Sequence, residues 1–191
     1  MAVGQAQRRV DTWFVRNALP MKSGIRVIFG LIWLIDGSFK FQAGFAAQFS
    51  VGASGVPDWL SGWYSFWGNI VNPDPSPWVY GIGAIEILLG LALVFGFLQK
   101  VAASGGFVLS LFIWAVPETF GAPYGPSSTD IGTGVVYAIA FLLLLTLDAV
   151  YGTDRWSLDA WIERRYPAWA RWSSIRRGAV GETAGSGSNS T

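Results

Sequence analysis

Four long apolar stretches constrain this chain more than any other feature of its sequence. They lie near residues 22–41, 78–98, 100–117 and 130–150. A helix needs about 20 mostly apolar residues to cross a hydrocarbon core roughly 30 Å thick, and each stretch is close to that length. The sequence therefore predicts an all-α integral membrane protein in which four spans pack as a four-helix bundle.

The first stretch is the weakest of the four, because only residues 27–35 are uncharged between Arg26 and Asp36. Arg26 lies near the helix end, where a long basic side chain can extend toward the headgroups. A cleaved signal peptide is the alternative, but Asp36, Lys40 and the missing small-residue cleavage motif are not typical of one. We therefore interpret this stretch as a membrane span.

The basic residues are divided unevenly between the connections. Twelve of the thirteen lie before or at the start of the first span, at Lys100 between the second and third spans, or after Tyr151. Only Lys40 lies at the opposite side. Cytoplasmic connections are enriched in Lys and Arg, so both termini are predicted to be cytoplasmic in a bacterial plasma membrane. The net charge of only +1, with the basic residues divided in this way, makes nucleic-acid binding a poor interpretation.

The segments outside the spans are predicted from the same preference for solvent or lipid. The aromatic-rich residues 42–77 should lie on the outer membrane surface, with docking of a partner as the alternative. Residues 1–21 should form a cytoplasmic segment. In residues 151–177, tryptophans interleave with arginines, as in an amphipathic segment on a membrane surface beside anionic lipid. Residues 178–191 lack an apolar pattern and are predicted to be disordered.

This division has two consequences for the inner side of the protein. Since the tail is predicted to lie outside the four-helix core, truncation after Tyr151 should leave that core folded. Asp148, near the inner end of the last span, should contact water.

Three charged residues lie at unusual depth in the first two spans. Asp36 is roughly 7–8 Å from the outer end of the first span, and Lys40 follows one turn later. An acid followed by a base at i, i+4 is the favourable order on a helix, so these two can pair. Glu86 is about 12 Å into the second span and is the deepest acid. It stays ionised only with a cation such as Lys40 nearby.

Other polar residues should join these three at the outer mouth of the bundle. They are Glu118, Tyr124, Asp130 and Tyr137. Two interpretations stay open for the whole group: a buried polar lock that holds the helices together, or a binding site open to the outer face. Glu118 and Asp130 favour the lock, because charge costs little at the interface and Asp130 can cap its helix. The tight turns around Tyr124 would suit a binding rim.

Three sequence motifs resemble the DoxX/DoxD family of small four-span bacterial membrane proteins, which includes the small subunit of thiosulfate:quinone oxidoreductase. These motifs are GLIWLIDGSFKF at 30–41, EILLGLAL at 86–93 and TDIGTG at 129–134, and the resemblance covers roughly residues 22–150. It implies a quinone-linked or redox-associated membrane subunit with Asp36, Lys40, Glu86 and Asp130 as functional residues. It does not imply thiosulfate activity, because that enzyme has a second subunit that this chain does not contain.

The first functional hypothesis is a quinone-linked redox subunit. Glu86 or Asp36 would exchange protons, and Lys40 or Tyr137 would hold a quinone carbonyl, with Asp130, Glu118 and Tyr124 around the ligand. The chain contains no cysteine or histidine, so no metal site, iron–sulfur cluster or covalently bound cofactor is predicted. Electrons would have to come from a separate carrier.

Two other hypotheses stay open, and the sequence does not decide whether the chain is catalytic. One is a non-catalytic membrane anchor or accessory subunit, which binds a protein partner or a second copy of itself. The other is a pathway for protons or a small solute, since acids within a membrane also mark transport routes. The pathway is least favoured, because no span has a broken centre and no inverted repeat is visible.

Overall fold

The computed structural model describes residues 2–52, 55–122 and 130–175, with side chains from Thr12 onward. All regular secondary structure among these residues is helical. In chain order the helices are α1 (Ala2–Phe39), α2 (Phe45–Gln48), α3 (Ser61–Val71), α4 (Ser76–Phe95), α5 (Gln99–Ala115), α6 (Thr133–Tyr151), α7 (Leu158–Arg165) and α8 (Ala170–Ser173). Short 3-10 helices lie at Asp58–Leu60, Thr119–Gly121 and Pro167–Trp169.

Within these residues, three helices are long and apolar enough to cross a membrane. They are the Thr12–Phe39 part of α1, all of α4 and all of α6. The third predicted span corresponds to α5, which is apolar but has only 17 residues. The prediction of an all-helical protein with several membrane helices is therefore confirmed, and the four-span arrangement stays a prediction. In addition, α1 continues through the predicted cytoplasmic segment without a break and includes Pro20.

The contact between α1 and α4 depends on glycines. Gly30 faces Gly90, and Gly37 faces Gly83, so the two helices run antiparallel. A Cβ atom at position 37 would lie 2.9 Å from the carbonyl oxygen of Gly83, which is too close without a shift of the backbone. Small residues in membrane helices allow this close approach, and the sequence pattern places them on the facing stripes.

The helices α5 and α6 form a second antiparallel pair, which aromatic side chains join to the first. Gly106 of α5 leaves space for the ring of Phe141 on α6. Phe141 is fully buried and lies 4.8 Å from Phe29 of α1, between ring centroids. Trp33 of α1 and Tyr137 of α6 are 5.6 Å apart. These rings form the middle of one continuous core, here called the helical core, between α1, α4, α5 and α6.

Short helices cover the end of the helical core that contains Lys40, here called the Lys40 end. Tyr64 of α3 is buried, and its hydroxyl donates a hydrogen bond of 3.0 Å to the carbonyl oxygen of Ala115. It belongs to a small second core, which consists of Val51, Leu60, Tyr64, Val71 and Val116. Trp59 and Phe66 are exposed. The aromatic segment therefore folds onto the end of α5 and leaves only part of its aromatic surface exposed.

The residues after α6 cover the opposite end, here called the Arg26 end. Their polar side chains face the helical core, since Asp154, Ser157, Asp159 and Ser173 are all buried. Three tryptophans of the same segment are exposed: Trp156, Trp161 and Trp172. The polar side of this segment packs on the protein, and its position on a membrane surface stays a prediction. The physical reason is that two buried basic residues of α1 require its carboxylates. The predicted disordered residues 178–191 lie outside the described residues.

Candidate functional site

The most deeply buried charge at the Lys40 end belongs to an ion pair between two helices. The ammonium of Lys40 lies 2.6 Å from the carboxylate of Glu86, and Glu86 is only 1% exposed. Lys40 is 19% exposed and retains access to the surface. Glu86 therefore has the counter-charge that an acid at this depth needs to stay ionised.

The close contact between α1 and α4 brings this pair together. The helix α1 ends at Phe39, and Lys40 lies in the turn that follows, where its backbone N–H donates to the carbonyl oxygen of Gly37. A Cβ atom at Gly83 would lie 3.0 Å from Cβ of Lys40. Because the backbones approach so closely here, the lysine side chain reaches across to α4.

Asp36 takes a different place from the one that its spacing favours. Among the described residues, the ion pair of Lys40 is with Glu86 and none joins Lys40 to Asp36. The reason is that Lys40 has left the helix, so the i, i+4 geometry no longer applies. Asp36 is partly exposed and lies within electrostatic range of Glu86. The structure thus brings together the three charged residues that the sequence predicted, with Lys40 bound to the deeper acid.

Tyr137 connects this charged group to the buried aromatic rings. It lies within electrostatic range of Asp36, Glu86 and Glu118, and its ring packs against Trp33. Trp33 is 0% exposed, and its indole N–H has no hydrogen-bond partner among the described residues. A buried donor without a partner is uncommon in proteins. Sequence spacing places Trp33 on the same stripe as Asp36, but tryptophan in an apolar helix gives no signal that its N–H is unpaired.

Glu118 binds the start of α6. Its two carboxylate oxygens accept hydrogen bonds from the hydroxyl of Thr133 at 2.6 Å and from the backbone N–H of Gly134 at 2.8 Å. The second contact satisfies a backbone donor at a helix N-terminus, where a negative charge is also favourable. Glu118 is thus the capping residue of α6, and the contacts support the structural interpretation of this carboxylate.

Asp130 is exposed and accepts a hydrogen bond of 2.7 Å from the backbone N–H of Gly132, the residue before α6. It therefore shapes the turn that leads into the helix, and the cap itself comes from Glu118. Tyr124 lies outside the described residues.

A second charged group, at the Arg26 end, was not found by the sequence analysis. Lys22 and Arg26 of α1 are both buried, as are Asp148 of α6 and Asp154 after it. Lys22 lies 3.0 Å from Asp148 and 3.5 Å from Asp154, and Arg26 lies 2.9 Å from Asp154. We call these four residues the Arg26 cluster. Its two positive and two negative charges balance.

The prediction that Asp148 contacts water is therefore wrong. Asp148 is 4% exposed, because Lys22 lies beside it and the backbone N–H of Ile175 covers its second oxygen at 2.9 Å. Arg26 likewise is buried and does not extend to the headgroups. A signal was present in the sequence. If both termini lie on one side, as the basic residues predict, Lys22 and Arg26 at the start of the first span lie at the same end as Asp148 near the end of the fourth.

The charged groups at the Arg26 end also complete the ends of two helices. Arg26 donates hydrogen bonds to the last carbonyl groups of α4, at Leu93 and Val94. Asp159 of α7 accepts from the backbone N–H groups of Leu98 and Gln99, at 2.9 and 2.8 Å. These are the groups that a helix leaves without partners at its C- and N-terminus. These contacts stabilise the Arg26 end. Among the described residues, the buried N–H donors without a hydrogen-bond partner include the indole of Trp33 in the helical core and the side-chain amide of Gln99 at the Arg26 end.

A comparison with known protein families gives one match, and it covers just over half of the chain. The DoxX family model matches residues 22–118, which include Asp36, Lys40, Glu86 and Glu118. The chain matches no curated protein and no solved structure.

Proposed function

This chain belongs to the DoxX family, and from that premise we propose that it is a membrane subunit of a quinone-linked redox system in the bacterial plasma membrane. The membership and the apolar helices make it a multi-pass membrane protein of the DoxX type. The finer assignment rests on the carboxylate of Glu86 and the ammonium of Lys40 at the Lys40 end, and on the phenol of Tyr137 and the unpaired indole N–H of Trp33 in the adjoining helical core.

We propose that α5 also crosses the membrane, which makes four spans in total, and that both termini are cytoplasmic. At 17 residues α5 is about 25 Å long, a few ångströms less than the hydrocarbon core, so slight local thinning of the bilayer would accommodate it. The helix α5 also runs antiparallel to α6, as α1 does to α4, which is the arrangement expected of successive membrane crossings. The Lys40 end is then the outer end, and the Arg26 end is cytoplasmic, as the basic residues favour.

The chemistry proposed for the outer end uses the donors and acids described above. A quinone accepts two electrons and two protons when it becomes a quinol. Lys40, Tyr137 and the indole N–H of Trp33 are donors suited to hold a quinone carbonyl oxygen. Glu86 and Asp36 are the carboxylates suited to exchange these protons. Each would take up a proton from the outer solution, which partly exposed Asp36 can reach, and pass it to the reduced quinone.

Electrons in this proposal come from a donor held by a partner subunit, because the chain has no cysteine or histidine to bind one. The exposed part of the outer aromatic segment is a surface for such a partner, since Trp59 is 80% exposed and Phe66 is 56% exposed. The same surface favours the second function that we retain, a non-catalytic subunit that anchors a partner to the membrane.

Replacement of Glu86 by glutamine tests the proposal, because the amide preserves the shape of the side chain but cannot exchange a proton. We expect the purified Glu86→Gln protein to keep its melting temperature within a few degrees, since Lys40 is near enough to the surface to be solvated. Its affinity for a short-chain quinone, measured by quenching of tryptophan fluorescence, should fall about tenfold or more.

Glu118→Gln is the matched control, because it makes the same chemical change at the same end of the helical core. Its carboxylate caps α6, so we expect a lower melting temperature and unchanged quinone affinity. The redox proposal is wrong if Glu86→Gln lowers the melting temperature and leaves quinone affinity intact, because Glu86 then acts only as a structural lock.

A further inference from the structure

An open groove of about 720 Å³ lies at the Arg26 end, between the residues after α6 and the helix α7. It is lined by Thr153, Arg155, Trp156, Ala160, Glu163 and Arg164. None of these residues belongs to the Arg26 cluster or to the Lys40 end. The groove is therefore a separate feature of the Arg26 end.

The two arginines of the groove have unused hydrogen-bonding capacity. Arg155 lies over the ring of Trp156, with 4.1 Å between its guanidinium carbon and the ring centroid. Arg164 uses its Nε–H for the carbonyl oxygen of Ala160 at 3.1 Å, which leaves its terminal N–H groups available. In the described part of the chain, neither guanidinium forms an ion pair with a carboxylate.

One carboxylate oxygen of Glu163, the acid that lines the groove, already has hydrogen-bond partners. Oε1 of Glu163 accepts hydrogen bonds from the hydroxyls of Thr153, at 3.0 Å, and Ser173. Two arginines against one glutamate leave the lining with one net positive charge. This matches a ligand with a single negative charge and oxygen acceptors.

The position of the groove along α6 indicates where that ligand comes from. The 19 residues of α6 make a helix about 28 Å long, close to the thickness of a hydrocarbon core. The helix ends at Tyr151, only two residues before Thr153, so the groove lies at the depth of the lipid headgroups. Trp161 beside it is 69% exposed, as expected of an aromatic side chain at this depth.

We propose that this groove binds the phosphodiester group of an anionic glycerophospholipid, with Arg155 and Arg164 donating to the phosphate oxygens. A planar guanidinium is suited to this geometry, because two of its N–H groups can reach two oxygens of one phosphate. The ring of Trp156 lies against the glycerol and the first methylenes of the acyl chains. A choline headgroup adds a positive charge, which the net charge of the groove disfavours.

Native mass spectrometry of the full-length protein tests this proposal, after incubation with equal amounts of phosphatidylglycerol and phosphatidylcholine in detergent. The parent protein should retain phosphatidylglycerol in preference to phosphatidylcholine. Arg155→Gln and Arg164→Gln should each reduce that retention about tenfold, since each removes a charge-assisted contact. Arg164→Lys keeps the charge but cannot form a bidentate contact. Its retention of phosphatidylglycerol should lie between that of these variants and that of the parent.

Arg165→Gln is the matched control, because Arg165 is exposed on the same helix and does not line the groove. It should retain the lipid as the parent does. An equal loss in Arg164→Gln and Arg165→Gln would overturn the proposal, since surface charge alone would then explain binding. Displacement of the lipid by millimolar inorganic phosphate would also overturn it and assign the groove to a soluble phosphate. If Arg155→Gln and Arg164→Gln instead lose a co-purifying protein and keep the lipid, the groove binds that protein and the lipid proposal is wrong.

Discussion

The buried charges of this protein lie at the two ends of the helical core, and they differ in how easily each can reach water. All four charged residues of the Arg26 cluster are buried. At the Lys40 end, Glu86 is buried but Lys40 is 19% exposed. A charge that can reach water tolerates the loss of its partner better than one that cannot. The two members of the Lys40–Glu86 pair should therefore respond differently to substitution.

We predict that Lys40→Met destabilises the protein more than the double variant Lys40→Met, Glu86→Gln. The single change leaves the carboxylate of Glu86 without a counter-charge and should lower the free energy of unfolding by about 3–5 kcal/mol. The double variant removes both charges and should recover about 0.5–3 kcal/mol of that loss. Unfolding in detergent by increasing denaturant measures all four free energies of the cycle, and the coupling should be about 0.5–3 kcal/mol.

The same cycle with Asp36→Asn in place of Glu86→Gln provides the comparison. Asp36 is partly exposed and lies near the pair without an ion pair to Lys40 among the described residues, so its coupling to Lys40 should be smaller. If the effects of Lys40→Met and Glu86→Gln on the free energy of unfolding are additive, the ion pair between Lys40 and Glu86 is contradicted.

At the scale of whole elements, the segment after α6 acts as part of the helical core. It supplies Asp154 to Arg26 and Lys22, and Asp159 to the first backbone N–H groups of α5. Without these carboxylates, two buried cations would lack part of their counter-charge and the N-terminus of α5 would lack its cap.

Truncation after Tyr151 should therefore destabilise the protein, in contrast to the expectation from the sequence. Removal of Asp154 breaks two buried ion pairs, and loss of one partner of a buried pair costs about 3–5 kcal/mol. A chain that ends at Ile175 retains these contacts and should melt at the temperature of the full chain. Thermal unfolding of both truncated proteins in detergent gives the comparison, and equal melting temperatures would refute the structural role of the segment.

The elements show which parts of the structure the sequence could predict. Hydrophobic length and facing glycines were sufficient for the four long helices, because both depend on local pattern. The position of Asp154 was not predictable, since it depends on how the chain turns back after Gly152, which has a φ of 71°. The same holds for Tyr64, whose burial follows from the docking of α3 on the end of α5. Of the site, the sequence placed Asp36, Lys40 and Glu86 together and left Lys40 able to pair with either acid, although helical spacing favoured Asp36.

At the scale of the whole molecule, the number of spans decides on which side the segment after α6 lies. With four spans, the segment after α6 returns to the side of the N-terminus. If α5 only enters the membrane and returns, the segment lies on the opposite side. The Arg26 cluster favours four spans, because its ion pairs hold the start of the first span and the residues around Gly152 at the same end of the protein. Lys22 pairs with Asp148, and Arg26 pairs with Asp154.

Labelling of single introduced cysteines can test this topology. The chain has no cysteine of its own, so no other thiol of the protein reacts with the label. We expect Asp58→Cys to react with a membrane-impermeant maleimide in intact spheroplasts. Arg165→Cys should react only after the membrane is opened. Labelling of both residues from outside would contradict four spans, and labelling of Arg165→Cys alone would reverse the orientation.

The bond between Arg26 and Asp154 also sets an order of events during synthesis, because 128 positions separate the two residues. Ribosomes add roughly 5–20 residues per second, so Arg26 is made about 6 to 26 seconds before its partner. During that time the first helix carries a basic residue without its carboxylate. A nascent chain that stops before Asp154 therefore never gives Arg26 this counter-charge.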